Sequence, residues 1–282
     1  MIESTDTDKS QVGKQTAEAQ VLWHAYLTGD NSQLPSKVAV IRRIFKSLPA
    51  DPRCKICNAP FHGIGGAVVK PFGFGSGRSS FNSNLCDRCE KIVKKHQVGM
   101  ELQLTMLFAD VRKSTTLAEE TGPSAFHHLI NRYYQTCTQV LGKSDALINR
   151  LIGDALIALY VPGIAGPDHA RIAVDVAREL LEATGHSDPD GPWIDVGIGV
   201  HTGTAYVGAV GSADSVSDIT VLGDAANTTA RLSAQAAGGE ILVSEETYQA
   251  ANLKLEDCEL RTFQLKGRNE PVAVRVIRVS PS

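Results

Sequence analysis

The spacing of hydrophobic residues along the chain changes near Gly99. Before this point, apolar residues recur at helical spacing in short stretches, which predicts amphipathic helices. The stretches are 14–27, 37–48 and 90–98. Gly29 and Pro49 follow the first two stretches, as residues that end helices commonly do. Residues 1–13 are polar, and we expect them to be disordered.

After Gly99, short apolar runs typical of strands alternate with longer helical patterns. The predicted strands cover 102–109, 145–151, 156–161, 193–201, 205–210, 219–222, 240–243, 258–265 and 272–279. The predicted helices cover 124–142, 168–184 and 225–236. Tight turns at 152–154 and 202–204 predict hairpins. We therefore expect a mixed, mostly antiparallel sheet with helices in an α+β domain.

The distribution of charge divides the chain at a similar place. The hydrophobic fraction of 43% and the charged fraction of 21% are typical of a soluble globular protein. Residues 36–98 nevertheless contain 12 Lys and Arg against three acidic residues, so they carry +9 and the remainder carries −12 of the net −3. We expect an N-terminal helical region (1–50), a small cysteine module (51–98) and a larger α+β domain (99–282).

Membranes and nucleic acids are not expected partners. No apolar run reaches the length of a membrane span, and the first 20 residues lack an apolar signal segment. We therefore expect a cytoplasmic protein. The basic module could bind nucleic acid through its charge, but it has few aromatic residues for stacking, so we rank this reading low.

The four cysteines of the small module form two Cys-x-x-Cys pairs, Cys54/Cys57 and Cys86/Cys89. Paired motifs of this kind predict a tetrathiolate metal site, and disulfides are disfavoured in a cytoplasmic chain. Zn²⁺ and an iron–sulfur cluster both suit four thiolates. We prefer zinc, although the long glycine-rich loop between the pairs could wrap a bulkier cluster.

Two aspartates stand where predicted strands end. Asp110 closes the apolar run in TMLFADVRKST, and Asp154 lies in the turn of the next predicted hairpin. Carboxylates brought together at a sheet edge suit Mg²⁺ or Mn²⁺, and two such ions could promote an in-line displacement at phosphorus. The alternative is that each aspartate only caps a turn.

Two predicted helices could assist at such a site. A helix that begins near Lys113–Ser114 would point free backbone N–H groups at a phosphate, unless Ser114 is an ordinary N-cap. In TVLGDAANTTARL, Asn227 and Arg231 lie one helical turn apart and could hold a ribose oxygen and a phosphate. The alternative is a polar stripe on a surface helix.

Taken in order, FADVRKST, NRLIGDALIALY, VGIGVHTG, TVLGDAANTTARL and LKGRNEPVAV closely resemble the catalytic domain of class III nucleotidyl cyclases over residues 100–280. The resemblance implies a ferredoxin-like fold and a head-to-tail homodimer with each active site across the interface. It assigns metal binding to Asp110, Asp154 and the carbonyl of Val111. It assigns ribose orientation and transition-state stabilisation to Asn227 and Arg231 of the partner chain.

Further substrate contacts follow from the same resemblance. Thr220 matches a purine-contacting position, Lys266 matches a triphosphate-contacting lysine, and Ser114 and Thr115 belong to the turn over the triphosphate. Two features depart from the family pattern. Arg150 replaces the usual adenine-reading lysine, and the loop 211–219 lacks the arginine that commonly contacts the triphosphate, a role that Arg112 could take over.

These observations predict a homodimeric adenylate cyclase that converts ATP to 3′,5′-cyclic AMP and pyrophosphate with two Mg²⁺ or Mn²⁺ ions. The glutamate and cysteine of the guanylate cyclase pattern are not present at the base-reading positions. We expect the four-cysteine centre to regulate the catalytic domain as a metal or redox centre. The rival hypothesis is a nucleotide-binding sensor with little or no activity on the same scaffold.

Overall fold

Helices and strands alternate along the part of the chain that the computed structural model describes, which is residues 4–49, 52–75, 77–79, 84–211, 217–254, 258–266 and 270–279. The helices are α1 (Ser4–Thr28), α2 (Ser36–Ser47), α3 (Gly63–Val69), α4 (Asp87–His96), α5 (Ser114–Thr121), α6 (Pro123–Gly142), α7 (Pro162–Ala165), α8 (His169–Ala183), α9 (Asp224–Gln235) and α10 (Glu245–Ala250), with a 3₁₀ turn at Lys70–Phe72. The strands are β1 (Gly99–Val111), β2 (Leu147–Ile152), β3 (Ala155–Tyr160), β4 (Val196–Gly211), β5 (Ser217–Leu222), β6 (Glu240–Ser244), β7 (Glu259–Phe263) and β8 (Val272–Arg278).

The strands form one eight-stranded sheet in the order β2-β3-β1-β4-β6-β8-β7, with β5 paired to β4. The pairs β1–β3, β2–β3, β6–β8 and β7–β8 are antiparallel, whereas β4–β6 is parallel. This is the mixed, mostly antiparallel α+β sheet that the hydrophobic pattern predicts. The β2–β3 hairpin turns at Gly153, whose φ of 61° is the left-handed conformation that glycine adopts readily.

The predicted hairpin at 202–204 is wrong, because β4 runs without a break through these residues. Gly203 serves close packing instead of a turn: a Cβ atom there would lie 2.9 Å from the Cβ of Ala225 on α9. The same holds at Gly199, where a Cβ atom would lie 2.4 Å from the backbone nitrogen of Ser233. The predicted disorder of 1–13 is also not observed from Ser4 onward, where α1 begins.

Packing divides the chain into two compact units. The first contains residues 1–102 together with 206–221, and the second contains 103–205 together with 222–282. The first unit therefore includes the N-terminal helices, the cysteine module and the hairpin formed by the end of β4 and by β5. The predicted module boundaries at residues 50 and 98 stay predictions. They divide the sequence into consecutive segments, whereas each compact unit combines residues from separate parts of the sequence.

The second unit is built on the central strands of the sheet. α6 and α8 pack together, and their buried residues Tyr133, Cys137 and Val174 join the strand residues Leu156 and Val200 in one hydrophobic core. β1 and β3 lie in this core, and their ends carry the predicted acidic pair. The core therefore fixes the backbone from which these carboxylates project.

The first unit has a core of its own. The largest fully buried side chains there are Trp23, Tyr26, Leu27, Phe61 and Leu85. α1 packs along α4, the helix that begins directly after Cys86. Among the described residues, no helix has the length and apolar composition needed to cross a membrane.

Candidate active site and cysteine centre

The structure brings Asp110 and Asp154 together at one edge of the sheet. Asp110 is the penultimate residue of β1 and pairs in register with Ala155, the first residue of β3. The backbone N–H of Val111 donates to the carbonyl oxygen of Asp154 at 3.4 Å. The antiparallel register of β1 and β3 thus places the two aspartates on neighbouring strand ends, as the sequence predicts.

The electrostatics of this edge favour a cation. Partial burial raises the pKa of Asp110 above its ordinary value, the neighbouring Arg112 guanidinium lowers it, and the charge of Asp154 raises it again. Two carboxylates that are desolvated near each other are stabilised by a bound cation. Hard oxygen donors of this kind fit Mg²⁺ or Mn²⁺, so the residues present fit the metal ions that the family resemblance implies.

Arg112 binds the first of these carboxylates. Its Nη2 donates to Oδ2 of Asp110, and its Nε donates to the carbonyl oxygen of Asp110 at 3.2 Å. Its Nη1 donates to the carbonyl oxygens of Ala234 and Ala236, at the end of α9, at 3.2 and 3.1 Å. The role of triphosphate clamp that the sequence leaves open for Arg112 would therefore require breaking existing hydrogen bonds.

The helix after Asp110 begins as predicted. α5 starts at Ser114, and its N-cap is Lys113, which has a left-handed φ of 53° and makes no side-chain capping bond. Ser114 is therefore not an ordinary N-cap. Ser114 and Thr115 occupy the first turn of α5, and that turn contains no acidic residue of its own. A helix end of this kind favours an anionic ligand.

A residue that the sequence reasoning missed supports the second aspartate. The hydroxyl of Tyr134, on α6, donates to the carbonyl oxygen of Gly153 in the turn that carries Asp154. Burial raises the pKa of Tyr134, and the charge of Asp154 raises it further, so this phenol stays protonated as a donor. No local sequence signal connects Tyr134 to this turn, because the contact depends on how α6 packs on the sheet.

One residue of the predicted pair on α9 has a buried donor without an acceptor. Asn227 is exposed, and Arg231 lies one turn later and is partly buried. Nη1 of Arg231 is buried without a hydrogen-bond partner. A buried guanidinium N–H with no acceptor is costly, so an anionic ligand would relieve it. Among the described residues, neither Asn227 nor Arg231 makes a hydrogen bond or ion pair with Asp110 or Asp154.

The remaining predicted substrate contacts lie on separate elements. Thr220 is a partly exposed residue of β5 in the first unit, and Lys266 is an exposed residue after β7 in the second. Arg150 occupies a backbone position on β2 opposite Ile157 of β3. Residues 212–216, which make up most of the loop without arginine, lie outside the described part of the chain.

The four cysteines of the small module form one buried cluster. The Sγ atoms of Cys54, Cys57, Cys86 and Cys89 all lie within 4.8 Å of one another, and those of Cys57 and Cys86 are 3.9 Å apart. None of them is in a disulfide. Paired cysteine motifs far apart in the sequence are thus brought to one point, as predicted.

Local backbone structure presents these thiols. Asn58, with a left-handed φ of 62°, closes a turn in which its N–H donates to the carbonyl oxygen of Cys54 at 2.8 Å. Cys86 is the N-cap of α4, and its N–H donates to Sγ of Cys54 at 3.4 Å. Hydrogen bonding with Cys54 lowers the pKa of Cys86 and raises that of Cys57. A bound metal ion stabilises the thiolate form of such clustered thiols and displaces their protons.

Basic residues around the cluster have different tasks. Arg53 donates to the carbonyl oxygens of Phe45 and Leu48 at 2.6 and 2.7 Å, and the Arg88 guanidinium lies 4.2 Å from the centre of the Phe74 ring. Arg42, which the sequence reasoning did not single out, is a cation on which the charges of the thiolates act. Burial lowers the pKa of Arg42, while the charges of Cys57, Cys54 and Cys89 raise it.

Comparison with known proteins identifies the class. The profile of the adenylate and guanylate cyclase catalytic domain matches residues 97–277, which is more than half of the chain. The chain therefore belongs to this family, the class III nucleotidyl cyclases, and the structure has the α+β fold of its members.

Individual relatives include cyclases of both nucleotides. The adenylate cyclase of Anabaena cylindrica is 29% identical over 188 residues, which are 62% of this chain and 37% of that protein. The crystal structure of the guanylyl cyclase Cya2 matches with a TM-score of 0.58 and 27% identity, over 63% of this chain and 92% of that chain. The adenylyl cyclase CyaB from P. aeruginosa matches with a TM-score of 0.56 and 25% identity, over 64% and 96%.

The Arg112–Asp110 pair generates a prediction about metal binding. Arg112→Gln removes a positive charge beside the proposed metal site, so we expect Mn²⁺ to bind on the order of five-fold more tightly, about 1 kcal/mol. Mn²⁺ titration followed by electron paramagnetic resonance, without nucleotide, measures this. Arg171→Gln is the control, because Arg171 also binds a backbone carbonyl, that of Asn252. Equal Mn²⁺ affinities in both variants would contradict the expectation.

Proposed function

We propose that this protein is an adenylate cyclase that forms 3′,5′-cyclic AMP and pyrophosphate from ATP. The observation that carries the proposal is the pairing of Asp110 with Asp154 beside the N-terminus of α5. The family membership of the chain supports it. A pair of metal-binding carboxylates next to a phosphate-binding helix end suits the transfer of a nucleotidyl phosphorus to a ribose hydroxyl.

Each residue of the site has a proposed task. Asp110, Asp154 and the carbonyl of Val111 would hold two Mg²⁺ or Mn²⁺ ions, which when bound activate the 3′-hydroxyl and neutralise phosphate charge. The first turn of α5, with Ser114 and Thr115, would bind the triphosphate through its N–H groups, and Lys266 would contribute a cation. Asn227 would orient the ribose.

Arg231 would stabilise the charge that grows on the transferred phosphoryl group, through the Nη1 that has no acceptor in the free chain. Because Arg231 has no described contact with Asp110 or Asp154, we propose that the two sets of residues meet in a homodimer. Asp110 and Asp154 of one chain would then face Asn227 and Arg231 of the other. A two-fold axis would make two equivalent sites.

ATP is the proposed substrate, whereas the matched relatives include cyclases of both ATP and GTP. Thr220 on β5 would contact the purine, and Arg150 would take the place of the usual lysine. A hydroxyl can donate to or accept from a purine, so Thr220 by itself tolerates adenine. The absence of a glutamate and a cysteine at the base-reading positions favours ATP over GTP.

The four-cysteine centre is proposed to bind a single Zn²⁺. With Zn–S bonds of about 2.3 Å, a tetrahedral site has S···S edges of about 3.8 Å. Sulfur atoms that all lie within 4.8 Å of one another are near this spacing. An iron–sulfur cluster places iron and inorganic sulfide between its thiolates and holds them further apart. The compact cluster therefore favours one ion.

The substrate assignment predicts a clear preference in an assay. Purified protein with Mg²⁺ or Mn²⁺ should convert ATP to cyclic AMP, and it should use GTP at least about ten-fold less efficiently in kcat/KM. Asp110→Asn should lose activity by a factor of about a thousand or more, because a metal ligand is removed. Chromatographic product analysis measures both. Nucleotide binding without any product above the Asp110→Asn background would instead support the rival sensor hypothesis.

The dimer assignment predicts complementation between inactive chains. Asp110→Asn and Arg231→Ala should each be nearly inactive alone, because each variant damages both sites of its own homodimer. When mixed and allowed to exchange, half of the dimers are mixed and have one intact site, so activity should recover to about a quarter of wild type. Mixing Asp110→Asn with Asp154→Asn is the control and should recover nothing. Failure of the first mixture despite subunit exchange would argue against a shared site.

The metal assignment predicts one equivalent of zinc per chain and no visible absorption band in protein purified without added metal. Elemental analysis and an absorption spectrum of the same sample measure this. Changing all four cysteines to serine should remove the zinc. The control is Cys137→Ser, because Cys137 is buried in the core of the second unit, away from the cluster. Iron with inorganic sulfide, and a brown colour, would overturn the zinc assignment.

A further inference from the structure

A tyrosine hydroxyl in the first unit is buried without a partner. Tyr26 lies on α1, its side chain is almost fully buried, and its hydroxyl makes no hydrogen bond. An unsatisfied phenol in a packed core is costly, so its presence calls for an explanation. The proposed zinc site supplies one, because a centre of four thiolates is a strong acceptor of hydrogen bonds.

Tyr26 lies on the helix that packs along the helix of Cys89. α1 packs along α4, which carries Cys89 in its first turn, and Thr16 of α1 hydrogen bonds to His96 at the other end of α4 at 3.1 Å. Burial raises the pKa of Tyr26, and the charges of Cys54 and Cys89 raise it further. A phenol O–H is a hydrogen-bond donor, so a buried Tyr26 hydroxyl without a partner can donate to a thiolate of the centre.

α1 also contacts the hairpin of β4 and β5, which carries Thr220. The ring of Trp23 lies 5.3 Å from that of Tyr26, and its Nε1 donates to the carbonyl oxygen of Val207 on β4 at 3.0 Å. Both atoms of this hydrogen bond are buried. Trp23 and Tyr26 are thus neighbours on one face of α1, and Trp23 ties that face to the backbone of β4.

A second contact reinforces this connection at the start of β1. The amide of Gln20 donates to the carbonyl oxygen of Gly99 at 2.7 Å and accepts from its N–H at 3.3 Å. Gly99 is packed against β4 so tightly that a Cβ atom would lie 2.0 Å from the hydroxyl oxygen of Tyr206. A Cβ atom on Gly208 would lie 2.4 Å from the Cα of Gly99. A shift of α1 must therefore move the backbone of the hairpin.

We propose that α1 couples the metal centre to nucleotide binding: Tyr26 donates a hydrogen bond to a thiolate of the filled centre, and Trp23 transmits the resulting position of α1 to the hairpin that carries Thr220. Tyr26 and Trp23 are positioning residues and touch neither the nucleotide nor the reacting atoms. The proposal rests on the proposed function for the role of Thr220. The Tyr26 part does not depend on it.

The Tyr26 hydrogen bond and the coupling of metal to nucleotide binding each have an energetic basis. Four thiolates around Zn²⁺ leave a net negative centre, and a buried donor beside it strengthens metal binding. If the metal and the nucleotide favour the same position of α1, each must tighten the binding of the other by the same factor. This reciprocity is measurable on both sides, and it requires no catalysis.

The first experiment tests Tyr26 on the full chain. Tyr26→Phe should weaken Zn²⁺ binding by about ten-fold and shift the thiolate-to-metal charge-transfer band of the Co²⁺-substituted centre. Tyr133→Phe is the matched control, because its hydroxyl is also buried but lies in the second unit. If the Tyr26 hydroxyl has no acceptor, removing it should leave the Zn²⁺ affinity and the Co²⁺ charge-transfer band at their wild-type values. That result would overturn the proposed hydrogen bond.

The second experiment tests Trp23. A fluorescent ATP analogue should bind the zinc-loaded wild type about five-fold more tightly than the zinc-free protein, and saturating analogue should tighten Zn²⁺ binding by the same factor. Trp23→Phe should abolish both effects while leaving Zn²⁺ affinity without nucleotide unchanged. Gln20→Ala, a milder change, should reduce the effects and guards against misfolding of the Trp23 variant.

The outcomes separate the coupling from the proposed function. Equal nucleotide affinity of the zinc-loaded and zinc-free wild type would overturn the coupling, as would a full coupling factor in both Trp23→Phe and Gln20→Ala. A protein that binds the analogue with the expected coupling but forms no cyclic AMP would support the inference and contradict the proposed activity. The Co²⁺ spectrum of Tyr26→Phe is informative in either case.

Discussion

The register of β1 against β3 is the constraint on which the proposed active site depends. It places Asp110 opposite Ala155 and hence beside Asp154, so that two carboxylates lie on adjacent strand ends. Both strands are anchored by a buried core, which means that the carboxylates cannot move apart without disturbing its packing. In the free chain Arg112 balances part of this charge, and Tyr134 holds the turn behind Asp154. A divalent cation would relieve the repulsion that remains between the carboxylates of Asp110 and Asp154.

α9 is positioned by close packing of its backbone against β4. β4 presents Gly199 and Gly203 to it, and the missing side chains allow helix and strand backbones to approach closely. Arg112 binds the carbonyl oxygens at the end of the same helix, so it links α9 to the strand that carries Asp110. Yet Arg231 keeps an unused donor. The missing acceptor at Nη1 of Arg231 on this firmly held helix agrees with the proposal that a second copy completes the site.

The sequence predicts the parts of this arrangement that depend on local patterns. Asp110 and Asp154 are found because apolar runs stop at them, and the cysteine pairs are found because their spacing is characteristic of metal sites. Contacts made by tertiary packing are not predictable in this way. Thr202–Thr204 has the composition of a turn, but the glycine serves a helix that lies against it, so β4 continues. The contacts of Arg112 with the end of α9 and of Tyr134 with the turn between β2 and β3 depend on tertiary packing, and no periodicity encodes them.

The compact units also explain why a module at the start of the chain could influence nucleotide binding. The hairpin of β4 and β5 packs with the N-terminal helices and the cysteine cluster, although it follows them by more than a hundred residues in the sequence. Trp23 and Gln20 bind backbone atoms of β4 and β1, not side chains, so the connection is between main chains and is stiff. If Tyr26 donates to a thiolate as proposed, a change of charge at the thiolates would act on α1 through a buried phenol, in surroundings where electrostatic forces are weakly screened. Under that proposal, the route from the metal centre to β5 does not pass through the carboxylates of Asp110 and Asp154.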